Sequence, residues 1–177
     1  MTELKMSPIY IALGANLSNP KKNFVSAISD IATSGIEVIK TSSLWHSPAW
    51  PKGQGHPDYV NAVISVSSDL GPIALLKRLH IIEAQYGRER TQLNAPRPLD
   101  LDIVDYKGQV KEERIVLPHP RMMGRPFVLL PLLEIAPDWR HPITQAPVLE
   151  ALSWLQYDDV MAHHIIQREW LDLERLD

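Results

Sequence analysis

At 177 residues, with 45% hydrophobic and 22% charged residues, the chain has the length and composition of one globular domain, expected to span residues 1–177. A formal net charge of −3 gives no overall pull toward nucleic acid or anionic membrane, so any anion site must be assembled locally from arginines. Cysteine is absent, which excludes disulfides and thiolate metal sites, and no stretch approaches the ~18 apolar residues of a membrane span; a cytoplasmic protein is expected.

Ile9 to Leu13 is a strand-sized apolar run stopped by Gly14. Asn19-Pro20 then supplies an N-cap and a first-turn proline for a helix carrying Phe24, Ile28 and Ile31, which Gly35 ends. Ile36 to Trp45 is expected as a second strand, followed by a Pro- and Gly-rich loop from Ser47 to Pro57. Tyr59 to Val66 alternates: Val60, Ala62, Ile64 and Val66 form a core face, while Tyr59, Asn61, Val63 and Ser65 form a partly polar one. Leu75, Leu79, Ile82 and Tyr86 mark a second helix closed by Gly87, with Leu76, His80 and Glu83 on its opposite stripe. A polar loop from Arg88 to Arg97 leads into a strand from Leu99 to Tyr106. The order β-α-β-β-α-β predicts an α+β, ferredoxin-like sandwich with additional C-terminal strands and helices. A turn at Lys107-Gly108, a strand near Arg114 to Leu117 and short helices near Phe127 to Ile135 and Val148 to Leu155 would follow. Val160, Ile165 and Trp170 predict a docked helical tail over residues 156–177.

The sharpest chemical signal is Arg97-Pro98-Leu99-Asp100-Leu101-Asp102-Ile103. A strand period of two puts both aspartates on one face, with Leu99, Leu101 and Ile103 on the other. Two carboxylates roughly 6–7 Å apart along a strand repel each other unless a cation lies between them. Their hard oxygens suit Mg²⁺ that shares its remaining positions with water and phosphate, and such a pair could bridge two ions about 3.5–4 Å apart. Alone, an Asp-x-Asp is more often a solvated strand face. Here Arg88, Arg90 and Arg97 lie at the mouth of the same strand, and Arg114, Arg121 and Arg125 follow. Guanidinium forks match phosphate oxygens. No P-loop or kinase-type glycine loop is present, so arginines and metal would have to hold a polyphosphate. His119, fixed between Pro118 and Pro120, could donate to a phosphate oxygen or serve only the loop. His163-His164 offers no metal-ligand spacing.

Ala95-Pro96-Arg97-Pro98-Leu99-Asp100-Leu101-Asp102-Ile103-Val104 resembles the signature of 6-hydroxymethyl-7,8-dihydropterin pyrophosphokinases. The likeness includes Gly14-Ala15-Asn16-Leu17, Pro57 to Ala62, Glu83 through Arg90, Leu117 to Arg121, Arg125 to Leu129 and Glu134 to Pro137, covering about residues 8–155 in the expected order. His80 departs from it, standing where Gln is common, and the stretch from Thr91 to Ala95 lacks a tryptophan that some members carry. The resemblance implies transfer of diphosphate from ATP to the pterin hydroxymethyl group in folate biosynthesis, releasing AMP. It implies that Asp100 and Asp102 hold two Mg²⁺ ions, and that Arg88, Arg90, Arg97, Arg114, His119 and Arg125 neutralise the triphosphate. Leu76, His80, Glu83, Ile103 and Val116 would line the nucleotide side. The pterin would lie between Tyr59 and Phe127, read by Asn61 and approached by Asp100, with Ser47, Pro48 and Trp50 closing the pocket. The loop from Arg88 to Arg97 would close over both substrates. A monomer acting on small molecules, without nucleic acid or membrane, is the expected state. Three rivals stand beside this reading, one of them a non-catalytic pterin-binding relative, against which the retained metal and arginine positions argue. A nucleotidyltransferase would share metals and arginines but attack the α-phosphorus. An RNA-binding sheet would need exposed RNP-type aromatics and a basic charge.

Overall fold

The computed structural model describes residues 7–49, 55–88, 95–173 and 176. Five α-helices and six strands are present among them. β1 (Ile9–Ala15), β2 (Glu37–Thr41), β3 (Leu44–Ser47), β4 (Tyr59–Ser67), β5 (Asp100–Tyr106) and β6 (His164–Gln167) form one antiparallel sheet, ordered β5-β1-β4-β3-β6 with β2 also on β4. α1 (Pro20–Thr33) and α2 (Pro72–Gln85) follow β1 and β4, giving the ferredoxin-like split βαβ arrangement that the residue patterns predict.

α1 begins as its sequence dictates: Asn19 Oδ1 accepts from Lys22 N at 3.1 Å and Pro20 takes the first turn. Phe24, Ile28 and Ile31 are fully buried, packing with Leu75, Leu79 and Ile82 of α2 against Ile9, Ile11, Leu13, Ile64, Leu101 and Ile103. Burying each such side chain contributes about 1.5–3 kcal/mol before entropic costs, which makes this layer the main core. The opposite face of the sheet carries a second core. α3 (Pro126–Ile135) and α4 (Val148–Ser153) cover Tyr10, Val63 and Val104 there.

Several expectations need correction. β1 runs through Gly14 to Ala15 instead of stopping, because Gly14 pairs with both Asn61 and Asp100. The strand expected from Ile36 to Trp45 is divided at Ser42, whose Oγ accepts from Val63 N (3.0 Å) and donates to Ser43 O (2.8 Å). The second face of β4 is as buried as the first: Asn61, Val63 and Ser65 are at most 4% exposed, because α3 and α4 close over it. Residues 114–117 form only an isolated bridge, Lys111 with Leu117. The tail is a short helix, α5 (Tyr157–Met161), followed by β6, not a docked helix. Adding Ile165 and Ile166 to the open edge of β3 satisfies backbone that a helix there would leave unpaired. Trp170 then anchors the end, donating to Ser42 O at 2.7 Å and packing on Phe24. No described helix is long and apolar enough to cross a membrane.

Candidate active site

β1 lies between β4 and β5, and its Gly14 pairs with Asn61 on one side and Asp100 on the other. Two strand spacings therefore separate a polar amide from a carboxylate by roughly 10 Å, with a residue lacking a side chain between them. This is the floor of a cleft of about 1170 Å³. Single-ligand pockets usually measure ~300–1,000 Å³, so this one has room for two substrates together. Its walls come from distant stretches: Ser47 to Ala49 at the end of β3, residues 95–98 before β5, residues 119–128 leading into α3, and Asp159, Ala162 and His163.

One end is charged. Asp100 and Asp102 both open into the cleft, their side chains 21% and 42% exposed, while Leu101 and Ile103 face the core as strand alternation requires. Arg97 Nη1 lies 2.8 Å from Asp100 Oδ2. Arg88 Nη1 bridges Asp100 Oδ1 and Glu83 Oε1. Glu83 is only 1% exposed and also accepts from Leu101 N at 2.7 Å, so it props Arg88 and β5 from beneath. The "opposite stripe" of α2 is thus partly interior. Asp102 is held more loosely, with Arg125 Nη1 at 3.8 Å and His119 Nε2 at 3.9 Å. His119 accepts from Arg121 N at Nδ1 (3.1 Å), and its Nε2 faces both Arg125 Nη1 at 3.5 Å and Asp102. Burial first, and then Arg125 and Arg121, lower the His119 pKa against the opposing pull of Asp102, keeping the ring neutral near neutral pH. Burial and Arg121 likewise lower that of Arg125.

The other end is uncharged apart from Asp159 and is fixed by hydrogen bonds. Asn61, 4% exposed, donates from Nδ2 to Ser47 Oγ at 2.8 Å, which leaves its carbonyl oxygen toward Gly14 and the cleft. Tyr59, Pro48 and Phe127 line the same end. α3, which begins with Pro126 and Phe127, is clipped to β3 by Glu134, whose carboxylate accepts from Ser43 N (3.0 and 3.1 Å), Ser43 Oγ (2.6 Å) and Trp45 Nε1 (3.0 Å).

Arg88, Arg97, Asp100, Asp102, His119, Arg125, Ser47, Pro48, Tyr59, Asn61 and Phe127 therefore converge on one cleft. Leu76, His80, Glu83, Ile103, Arg114 and Val116 are not among its lining residues; Ile103 is in the core, and Val116 is 49% exposed. Trp50 and Arg90, with most of the loop expected to close, lie outside the described residues. Sequence reasoning gave no site role to Gly14, Met122 or the segment from Asp159 to His163. A glycine inside a strand is a recognised sign of close approach by a ligand or backbone. Nothing in the local pattern could bring residue 163 beside residue 127.

The donor set fits a hard divalent cation that arrives with phosphate. Two carboxylates on one strand face supply too few ligands for a closed protein site, and the described residues contain no group of three or more potential metal-ligating side chains. Mg²⁺ commonly binds through one or two carboxylates, completing its shell with water and substrate oxygens.

The sequence matches the profile of the 7,8-dihydro-6-hydroxymethylpterin-pyrophosphokinase (HPPK) family over residues 10–137. It is 40% identical over 145 residues to a 2-amino-4-hydroxy-6-hydroxymethyldihydropteridine pyrophosphokinase of Synechocystis, covering 81% of this chain and 73% of that protein. A protein of the same name from Haemophilus influenzae is 41% identical over 143 residues, 79% of this chain and 88% of its own. The folic acid synthesis protein fol1 of Pneumocystis carinii is 40% identical over 161 residues, 90% of this chain but 21% of that longer protein.

Proposed function

The chain belongs to the 7,8-dihydro-6-hydroxymethylpterin-pyrophosphokinase family, and we propose that the cleft over Gly14 is where it performs that family's reaction. The enzyme transfers diphosphate from ATP to the hydroxymethyl group of 6-hydroxymethyl-7,8-dihydropterin in folate biosynthesis, giving AMP and the pterin diphosphate. The observation that carries the site assignment is the pair Asp100 and Asp102 opening together into a cleft whose cationic walls are Arg88, Arg97, Arg121 and Arg125.

In this reading, the arginines and His119 receive the triphosphate. Arg88 and Arg97 exchange part of their hold on Asp100 for phosphate oxygens, freeing that carboxylate. Asp100 and Asp102 hold Mg²⁺, two ions in the fuller form of the proposal, which would offset charge on the triphosphate oxygens and on the attacking oxygen. Asn61 pairs with the polar edge of the pterin, Tyr59 and Phe127 lie against its faces, and Ser47, Pro48 and Trp50 close that end. The ~10 Å between Asn61 and Asp100 suits a two-ring heterocycle whose exocyclic alcohol reaches toward the metal. Leu76, His80, Glu83, Ile103, Arg114 and Val116 belong to the nucleotide side, and residues 88–97, with Arg90, close over it to exclude water. A single pyrophosphokinase domain, working as a cytoplasmic monomer without nucleic acid, completes the proposal; the net charge of −3 supports its last part.

Identification of the nucleotide product tests it. With ATP, Mg²⁺ and the pterin alcohol, AMP and the pterin diphosphate should appear in equal amounts. Release of ADP would mean transfer of a single phosphoryl group, and pyrophosphate would mean attack at the α-phosphorus; either overturns the reading.

A further inference from the structure

His163 lies beyond the stretch matched by the family profile, which ends at residue 137, yet it shares the cleft with Phe127. Its position is built, not incidental. β6 pairs with β3 so that His164 stands opposite His46, with the two rings stacked at 4.5 Å and 25°. His163 therefore emerges one residue earlier, at the end of β3 where Ser47 and Pro48 enter the cleft. Its N–H donates to Val160 O at 3.1 Å, and its Nδ1 lies 2.7 Å from Asp159 O. A carbonyl only accepts, so Nδ1 carries the ring proton. Burial lowers the pKa of this imidazole, which leaves the ring neutral at neutral pH. Its plane is tilted 18° from that of Phe127, with the centroids 6.4 Å apart, inside the range where offset aromatic pairs attract.

The Phe127 ring has another neighbour, the Arg125 guanidinium at 5.5 Å. That arginine also faces Asp102, so a bound polyphosphate would draw it away. The hydrogen bonds of His163 instead run to backbone carbonyls of the helix just before it, Asp159 O and Val160 O. We propose that His163 is a positioning residue for the heterocycle-binding half of the cleft: its imidazole, anchored by the β3–β6 pairing, holds the Phe127 ring in the orientation that receives a flat heterocycle. The C-terminal segment thereby completes a subsite that residues 10–137 leave open on one side. This inference rests on the pterin-binding role assigned to Phe127.

Steady-state kinetics of the full chain separate the two. His163→Ala should raise KM for the pterin alcohol about two- to tenfold while leaving KM for ATP and kcat nearly unchanged. His163→Phe should restore it and His163→Leu should not, because the flat π-face is what acts. In a Phe127→Ala background, His163→Ala should add nothing further. If Phe127→Ala raises the pterin KM while His163→Ala leaves it unchanged, or if Leu rescues as well as Phe, the positioning role is overturned and the pterin assignment stands. If Phe127→Ala leaves the pterin KM unchanged, the pterin assignment itself fails, and this inference with it.

Discussion

Asp100 and Asp102 at the mouth of β5 and Asp105 near its far end share one strand and, because of a register shift opposite Tyr10 and Ile11, one face of the sheet. Their surroundings differ in kind. The first two open into a cleft among arginines, with Arg88 and Arg97 paired to Asp100 and Arg125 3.8 Å from Asp102. Asp105 is 3% exposed and is held by uncharged donors, Trp139 Nε1 at 2.7 Å and Gly108 N at 2.9 Å. Desolvation raises its pKa against those hydrogen bonds and the pull of His141. The difference is whether the carboxylate's partners are cations lining a cleft or uncharged donors within the core.

The largest expected effect breaks this contrast at the mouth. Asp100→Ala and Asp102→Ala should each lower kcat by about a hundredfold or more with the thermal midpoint little changed, because triphosphate charge loses its compensation. Near-wild-type turnover at saturating Mg²⁺ in either variant would remove the distinction from Asp105. An intermediate case is Asn61, a neutral group that is both buried and within the cleft. Asn61→Ala should weaken pterin binding by about 1–3 kcal/mol in calorimetry while sparing ATP. Damage to ATP binding instead would mean the two ends are misassigned.

At the far end the effects should fall on stability alone. Trp139→Phe keeps an aromatic side chain but removes the indole donor to Asp105, costing about 1–2 kcal/mol in denaturant unfolding with both KM values unchanged. Smallest is a pH effect. A carboxyl whose pKa is raised by folding holds a proton that the unfolded chain releases, so stability falls as pH rises from the ordinary value of 3.8 through the higher folded value. Asp105→Asn should flatten that part of the curve of thermal midpoint against pH. An unaltered slope would show that another group titrates there.

The charged end of the cleft was legible in sequence because it is local: Arg97, Asp100 and Asp102 stand within six residues, and alternation alone sets both carboxylates on one face. The ferredoxin-like core was legible for a similar reason, since Phe24, Ile28 and Ile31, and Leu75, Leu79 and Ile82, repeat at helical spacing. The tail was not. Val160, Ile165 and Trp170 suggest a helix, but the free edge of β3, more than a hundred residues earlier, captures residues 164–167 as a strand. Asp105 escaped notice because simple alternation assigns it to the core face of Ile103, and a register shift leaves no mark in composition. Gly14 was taken for a strand end because a glycine in an apolar run signals a stop as readily as the floor of a cleft.

The paired-carboxylate site is tested most directly by counting Mn²⁺ ions, as a spectroscopic substitute for Mg²⁺, on the protein with a non-hydrolysable ATP analogue and the pterin alcohol. Two ions per chain are expected in the wild type and in Asp105→Asn, close enough together for their spins to couple, with the coupled pair lost in Asp102→Asn. A single ion in the wild type, or a coupled pair that survives in Asp102→Asn, would contradict the assignment of Asp100 and Asp102 as a joint metal site.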